Sequence, residues 1–198
     1  MSDLRFLIFF KFTFIELFCI QVLSKDIKKG RSLGMIEIKD VNKTNIGIFS
    51  NVLVEAARNL DKLGMHMWDI KKLKPDVLLK EYKIEDMKLC YENNELIGVY
   101  ILQYGDKLFW SDDNSDFAVI HKLALLPEHK GKGYGRKLMA TADDICKSNN
   151  INSIRLNCGT FRPNLRKFYE SCGFKAVDRV FIDNRDQMRY RKELLWRM

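Results

Sequence analysis

From residue 35 onward the apolar positions follow two rhythms, a period of two and a period near 3.6. The points where one gives way to the other mark the elements. IEIKDV alternates like a half-buried strand. Asn45 to Leu63 then carries Phe49, Val52, Leu53, Ala56, Ala57 and Leu60 at helical spacing, with Asn42 or Thr44 available as caps. Gly64 ends that helix, and Pro75-Asp76 opens a shorter one running to Lys83. MKLCYE and ELIGVYILQ flank Asn93-Asn94, which tolerate positive φ, so these stretches predict adjacent antiparallel strands. FAVIHKLALL is apolar almost throughout, as a central strand buried on both faces requires, and Pro127 stops it. Gly133 to Asn149 predicts a helix whose apolar face holds Leu138, Met139, Ala142, Ile145 and Cys146. SIRLNC predicts a strand, PNLRKFYESC a helix and AVDRVFI a last strand. The order β-α-α-β-β-β-α-β-α-β predicts a fold in the α/β or α+β range, a central mixed sheet flanked by helices.

Residues 4 to 23, LRFLIFFKFTFIELFCIQVL, stand apart from this pattern. The stretch is long and apolar, but Lys11 and Glu16 interrupt it, and each would cost roughly 2.5–3.5 kcal/mol at the middle of a bilayer. Five positions apart, the two pair poorly on a helix. Three readings stay open: a poor membrane anchor, an amphipathic or disordered extension, and upstream sequence translated from a mis-assigned start. The last is favoured because Met35 directly precedes the first regular strand. As an anchor, KDIKKGR on its far side would hold the rest of the chain in the cytoplasm. The expected organisation is an extension over 1–34 and one working domain over 35–198, in keeping with a chain of 198 residues that can bury one good core.

Net charge narrows the partners. Of the total of +8, residues 1–34 hold six bases and three acids, leaving +5 for the working domain. That excess suits an anionic small molecule or an acidic partner and does not demand nucleic acid. Cys19, Cys90, Cys146, Cys158 and Cys172 form no C-x-x-C pair, so they read as reduced core thiols of a cytoplasmic protein, with no metal site.

The stretch EHKGKGYGRKLM, residues 128–139, sets three glycines at alternate positions among bases, between a strand and a helix. Such a run lets successive backbone N–H groups converge at the positive end of the helix, where an anion binds. Spacing rejects two common phosphate loops. A P-loop needs Lys followed by Ser or Thr, but Lys137 is followed by Leu138. A dinucleotide fingerprint needs a third glycine where Arg136 or Leu138 stands.

The stretch Val119 to Phe174 resembles the GNAT superfamily of acyl-CoA-dependent N-acyltransferases. The signature [QR]-x-x-G-x-[GA] matches KGKGYG at 130–135, with Lys130 where Gln or Arg is usual, and the closing Y-x-x-x-G-F matches Tyr169, Gly173 and Phe174. The resemblance implies a mostly antiparallel sheet and acetyl-CoA as co-substrate. Its pyrophosphate would lie on the amides of Gly131, Lys132, Gly133, Tyr134, Gly135 and Arg136, and its pantetheine arm beside Leu123, Ala124 and Leu125. Lys130, Lys132, Arg136 or Lys137 would meet the ribose phosphate. Many members carry Asn seven residues before the tyrosine; here that residue is Arg162, and Asn164 is the candidate substitute.

The resemblance assigns Tyr169 as the acid. A phenol with pKa about 10 stays protonated at neutral pH and can donate to a departing thiolate. His121, two residues before Leu123 and on the same side of a regular strand, is the candidate base. Glu128 and His129 read as exposed loop residues. Trp68 and Asp69 of MHMWD, with Trp110 beside the acidic SDDNSD loop, are candidates for the acceptor site. The expected function is a cytoplasmic N-acetyltransferase, monomer or homodimer, moving an acetyl group to a primary amine of a small molecule or peptide by direct attack in a ternary complex. The alternatives are a basic RNA- or ribosome-binding module and a non-catalytic acyl-CoA sensor.

Overall fold

The computed structural model describes residues 34–111 and 116–194. The apolar stretch 4–23, Cys19 and residues 112–115 of the acidic loop lie outside the described residues. Seven strands form one sheet: β1 (Glu37–Asp40), β2 (Met87–Glu92), β3 (Glu95–Tyr104), β4 (Ala118–Leu125), β5 (Ser153–Gly159), β6 (Lys175–Ile182) and β7 (Arg185–Glu193). Their order across the sheet is β1-β2-β3-β4-β5-β7-β6. Only the β4–β5 pairing is parallel, so the sheet is mixed and mostly antiparallel, as predicted.

The helices are α1 (Ile46–Lys62), α2 (Pro75–Glu81), α3 (Tyr134–Ser148) and α4 (Pro163–Ser171). Strand periodicity divides the core between the two faces of the sheet. From β3, Val99 and Ile101 pack with Phe49, Leu53 and Ala57 of α1 and Leu78 of α2. Tyr100 and Leu102 point the other way, into a cluster holding Leu138 and Ala142 of α3 and Tyr169 of α4. Cys90, Cys146 and Cys158 are buried free thiols, and Cys172 is half-buried. No helix among the described residues is long and apolar enough to cross a membrane.

Two local expectations are corrected. The last strand is a hairpin: Asp183 and Asn184 take φ of 52° and 57°, and β7 folds back between β5 and β6. Two consecutive positive φ angles give the turn whose twist suits paired strands, as at Asn93 and Asn94. The N-cap of α1 is Asn45, while Asn42 Oδ1 accepts from the amides of Thr44 and Asn45 in the turn before it.

β3 and β4 approach closely at Gly98. A Cβ there would lie 2.3 Å from the carbonyl oxygen of Ala124, a backbone atom with nowhere to retreat. Gly98→Ala is therefore expected to destabilise the fold by about 2 kcal/mol through overpacking. Urea unfolding would show a lower midpoint, and an unchanged midpoint would mean that β3 does not pass this close to β4.

Candidate active site

The centre of the sheet is split. β4 and β5 are registered only at Ala118↔Ile154 and Val119↔Arg155. Beyond that point the edge of β4 facing β5 has no strand partner, while its other edge stays paired to β3 through Ala124 and Leu125. A strand edge in this state offers backbone donors and acceptors to an extended, amide-bearing ligand.

The same strand is bulged. Between the pairs Val99↔Ala124 and Ile101↔His121, β4 contains one more residue than β3, and Lys122 takes a φ of 51°. Regular alternation would put His121 and Leu123 on one face and Lys122 on the other. The bulge breaks that alternation, and all three residues border one cavity.

Two cavities flank the bulge. The first, of about 650 Å³, is bounded by Leu123, Ala124 and Leu125 on one side and by Lys130, Gly131, Gly133, Gly135 and Arg136 on the other. Gly131 and Gly133 have φ of 72° and 82°, which a side chain would disfavour. The amides of Gly133 and Gly135 have no partner among the described residues, and they stand at the N-terminus of α3. Phe168 of α4 lies against Gly135, where an added Cβ would come within 3.1 Å of its ring. Free amides, left-handed glycines and an open strand edge fit a pyrophosphate carried on an amide-bearing arm.

The bases around this loop are not equivalent. Lys130 Nζ donates to Asn59 Oδ1 of α1 at 2.7 Å, and Arg136 Nη1 donates to the Ser171 carbonyl at 2.7 Å. Lys137 is turned away from the cradle onto Glu92 at 2.6 Å and the Gly34 carbonyl at 2.8 Å. Lys132 is exposed. Tyr134 is buried and donates to Glu92 Oε2 at 2.6 Å, so its side chain anchors the first turn of α3.

The second cavity, of about 1250 Å³, lies across the bulge and shares Met67, Trp68, Leu123 and Leu165 with the first. Tyr169 lines it, with its ring packed on Phe174 and Tyr190 and its hydroxyl making no hydrogen bond among the described residues. Burial pushes the Tyr169 phenol up, with Cys158 and Cys172 adding to the effect and Arg162 opposing it. The phenol is therefore protonated throughout the neutral range. His121 is pushed down to about 4, chiefly by burial, against the upward pull of Asp106. Its Nε2 lies 3.6 Å from Asp106 Oδ2, and its ring lies 5.4 Å from that of Tyr82. At neutral pH the imidazole is uncharged, and burial makes it a weaker base than in water.

Several residues chosen from the sequence stand elsewhere. Asp69 borders neither cavity, because its carboxylate accepts from the Lys71 amide at 2.9 Å and caps the turn Ile70–Leu73. Trp110 is a core residue, packed with Phe109, Phe117 and Val119 and lying 4.7 Å from the Arg155 guanidinium. Asn164 is exposed in the first turn of α4 and lines neither cavity. Arg162 lines the second cavity instead and donates to the His66 carbonyl at 2.5 Å. His129, read as exposed, is buried against the Tyr134 ring, with Nε2 3.4 Å from Glu95 Oε1, while Glu128 is exposed.

Tyr82, Asp106, Lys122 and Arg185 line the second cavity without having been singled out in the sequence. Asp106 carried one usable signal, an acid beside Gly105 at the end of an apolar strand. Lys122 depends on the bulge and Arg185 on the unrecognised β6–β7 hairpin, while Tyr82 is placed by the end of α2. No group of three or more His, Cys, Asp or Glu able to hold a metal ion occurs among the described residues.

The comparisons with known proteins agree with this geometry. The acetyltransferase (GNAT) family model matches residues 59–174, more than half of the chain, and the chain belongs to that family. A stretch of 63 residues is 32% identical to the uncharacterised N-acetyltransferase YycN of Bacillus subtilis (strain 168). That stretch covers 32% of this chain and 40% of the relative's length. The fold is similar to that of a GNAT-family acetyltransferase from Listeria monocytogenes, with TM-score 0.65, 16% identity, and 80% and 95% of the two chains covered. It is also similar to the paiA N-acetyltransferase of Thermoplasma acidophilum, solved in complex with coenzyme A. There the TM-score is 0.60 and the identity 23%, with 80% of this chain and 98% of that one covered.

Proposed function

We propose that the chain is an acetyl-CoA-dependent N-acetyltransferase that moves an acetyl group to a primary amine by direct attack in a ternary complex. The observation that carries this reading is the junction of the two cavities at Met67, Trp68, Leu123 and Leu165. A glycine cradle and an open strand edge border one side of the junction; a protonated phenol and an uncharged imidazole border the other.

In this reading the cradle amides and the edge of β4 hold acetyl-CoA, which supplies an acetyl thioester at the junction. The acceptor attacks as its neutral amine, having lost a proton to water, and the uncharged His121 accepts a hydrogen bond from its N–H. The amine nitrogen bonds to the acetyl carbon and the carbon–sulfur bond breaks. Backbone N–H groups around Leu123, reoriented by the bulge, face the carbonyl oxygen as charge gathers there. Tyr169 gives its proton to the departing sulfur, and the proton that the nitrogen sheds on becoming an amide restores the phenol. The products are an amide and coenzyme A thiol, with one proton released overall.

The donor's weakness as a free phenol is matched by its setting. A thiolate formed in this buried cavity is itself more basic than in water, as Cys158 on the same wall illustrates, its thiol pushed up to about 11 chiefly by burial. Two bases of the glycine loop are spent inside the protein, Lys130 on Asn59 and Lys137 on Glu92. That weakens the case for an RNA-binding face there. The free thiols support a cytoplasmic, reducing setting.

The test is titration of the full chain with acetyl-CoA by calorimetry, followed by thiol release in the presence of a panel of amines. Saturable binding with amine-dependent thiol release is expected. Binding without release for any amine would instead indicate a non-catalytic acyl-CoA sensor.

A further inference from the structure

The acceptor cavity carries more cations than acetyl transfer itself uses. Lys72, Lys122 and Arg185 all line it. Arg185 is paired with Asp183 at 3.0 Å. Lys122 has no such partner: its ammonium makes no ion pair or hydrogen bond among the described residues, and it lies 5.6 Å from the centroid of the Trp68 ring. Trp68 stands where the two cavities meet, so this charge is close to the point of transfer.

The backbone holds Lys122 there at a cost. A φ of 51° is disfavoured for a long L side chain, and such strain persists only where the surrounding structure imposes it. The side chain is also partly buried. Burial is the largest influence lowering its basicity, Glu81 opposes it next, and Arg185 and Lys72 push the same way as burial. A partly desolvated ammonium beside two further cations is relieved by a ligand that brings negative charge.

Acids line the cavity too: Glu81 acts on Lys122, Asp183 and Asp186 are paired with Arg185 and Arg179, and Asp106 stands beside His121. Asp106 is buried, with Oδ1 accepting from the amides of Leu108 and Phe109 at 2.9 and 3.2 Å. Its Oδ2 is the atom 3.6 Å from His121. The cavity therefore presents an acid beside the candidate base and a cationic group at the bulge.

We infer that the acceptor amine also carries an oxyanion, a carboxylate or a phosphate, with the amine drawn toward Asp106 and His121 and the oxyanion held by Lys122. Lys122 is then a specificity-determining residue. A polyamine would instead place its further ammonium groups against Lys72, Lys122 and Arg185. This inference rests on the acetyltransferase reading, and its test separates the two.

The full chain is assayed by thiol release with amino acids, their amides, dipeptides and dipeptide amides, aminoalkyl phosphates and polyamines. Oxyanion-bearing amines are expected to exceed their neutral counterparts by about tenfold or more in kcat/KM, the worth of a charge-assisted contact. Comparing amino acids with aminoalkyl phosphates identifies the oxyanion. Lys122→Met is expected to erase the preference by raising KM about tenfold, with a much smaller change in kcat, while Lys122→Arg retains it. Acetyl-CoA affinity checks that each variant is folded, and the wild-type ratio of acid to amide decides the matter even where a variant is not. Equal use of amides or polyamines, or a preference that survives Lys122→Met, overturns the inference and leaves the acetyltransferase reading standing. Acetyl-CoA binding with no transfer to any amine overturns both.

Discussion

Tyr169→Phe is expected to lower the turnover of acetyl transfer by about a hundredfold or more, the range of a lost general acid, while acetyl-CoA affinity changes less than about twofold. The two readouts separate because the ring and the hydroxyl have different work. The ring packs on Phe168, Phe174 and Tyr190, and phenylalanine preserves those contacts. The hydroxyl has no hydrogen-bond partner among the described residues, so its removal strands no buried group and the fold keeps its stability. In the proposed mechanism the only atom lost is the proton donor. Pre-steady-state measurement of thiol release, alongside calorimetric titration with acetyl-CoA, would show slow chemistry with unchanged binding. Normal turnover would remove Tyr169 as the acid and point to another donor in the cavity. Tyr82 is the next phenol to examine, raised to about 12 chiefly by burial and lying beside His121.

Local signals account for much of what the sequence reveals here. The glycine loop, the helix it opens and the β4 run are contiguous patterns, each legible from a dozen residues. The Asn93-Asn94 turn is legible for the same reason, since residues tolerant of positive φ sit between two apolar strands. Asp183-Asn184 carries an equivalent signal and adopts equivalent angles, yet its second strand reads RDQMRYRKE. That strand is partly exposed along most of its length, so no clean alternation announces it, and with it Arg185 is lost from view.

The acceptor cavity is harder still. It depends on a one-residue bulge, which shifts Lys122 across the sheet without leaving any mark in the hydrophobic pattern. By residue type alone Asp69 and Trp110 are acceptor-site candidates. Their positions are decided by a local capping bond and by an aromatic cluster around Arg155, and neither is visible from spacing alone. Loop chemistry that recurs within a short window is readable; charge brought together from four separate elements is not.

Gly133→Glu is expected to weaken acetyl-CoA binding by about a hundredfold or more, enough to abolish it at ordinary concentrations. Two effects act together at this position. At φ 82° any side chain meets a backbone penalty, about 1–2 kcal/mol for an ordinary L residue. A carboxylate there also stands before the free amides at the N-terminus of α3, where it competes with the pyrophosphate and repels it. Crowding inside the protein is not a third effect, because a Cβ at Gly133 would meet nothing within 4 Å. The variant should therefore fold, with its unfolding midpoint moved only by the backbone penalty.

Gly133→Gln separates the two effects. Glutamine meets the same left-handed backbone penalty as glutamate and brings no charge, so its binding loss should stay within about tenfold. The same titration applied to both variants decides between the contributions. A large loss in both would make backbone conformation the dominant requirement, and a loss confined to Glu would make it charge. Wild-type affinity in Gly133→Glu would mean that the phosphates do not lie on this loop at all. The cavity beside Leu123 to Leu125 would then hold the amide-bearing arm alone, with the phosphates of acetyl-CoA lying away from the glycine loop.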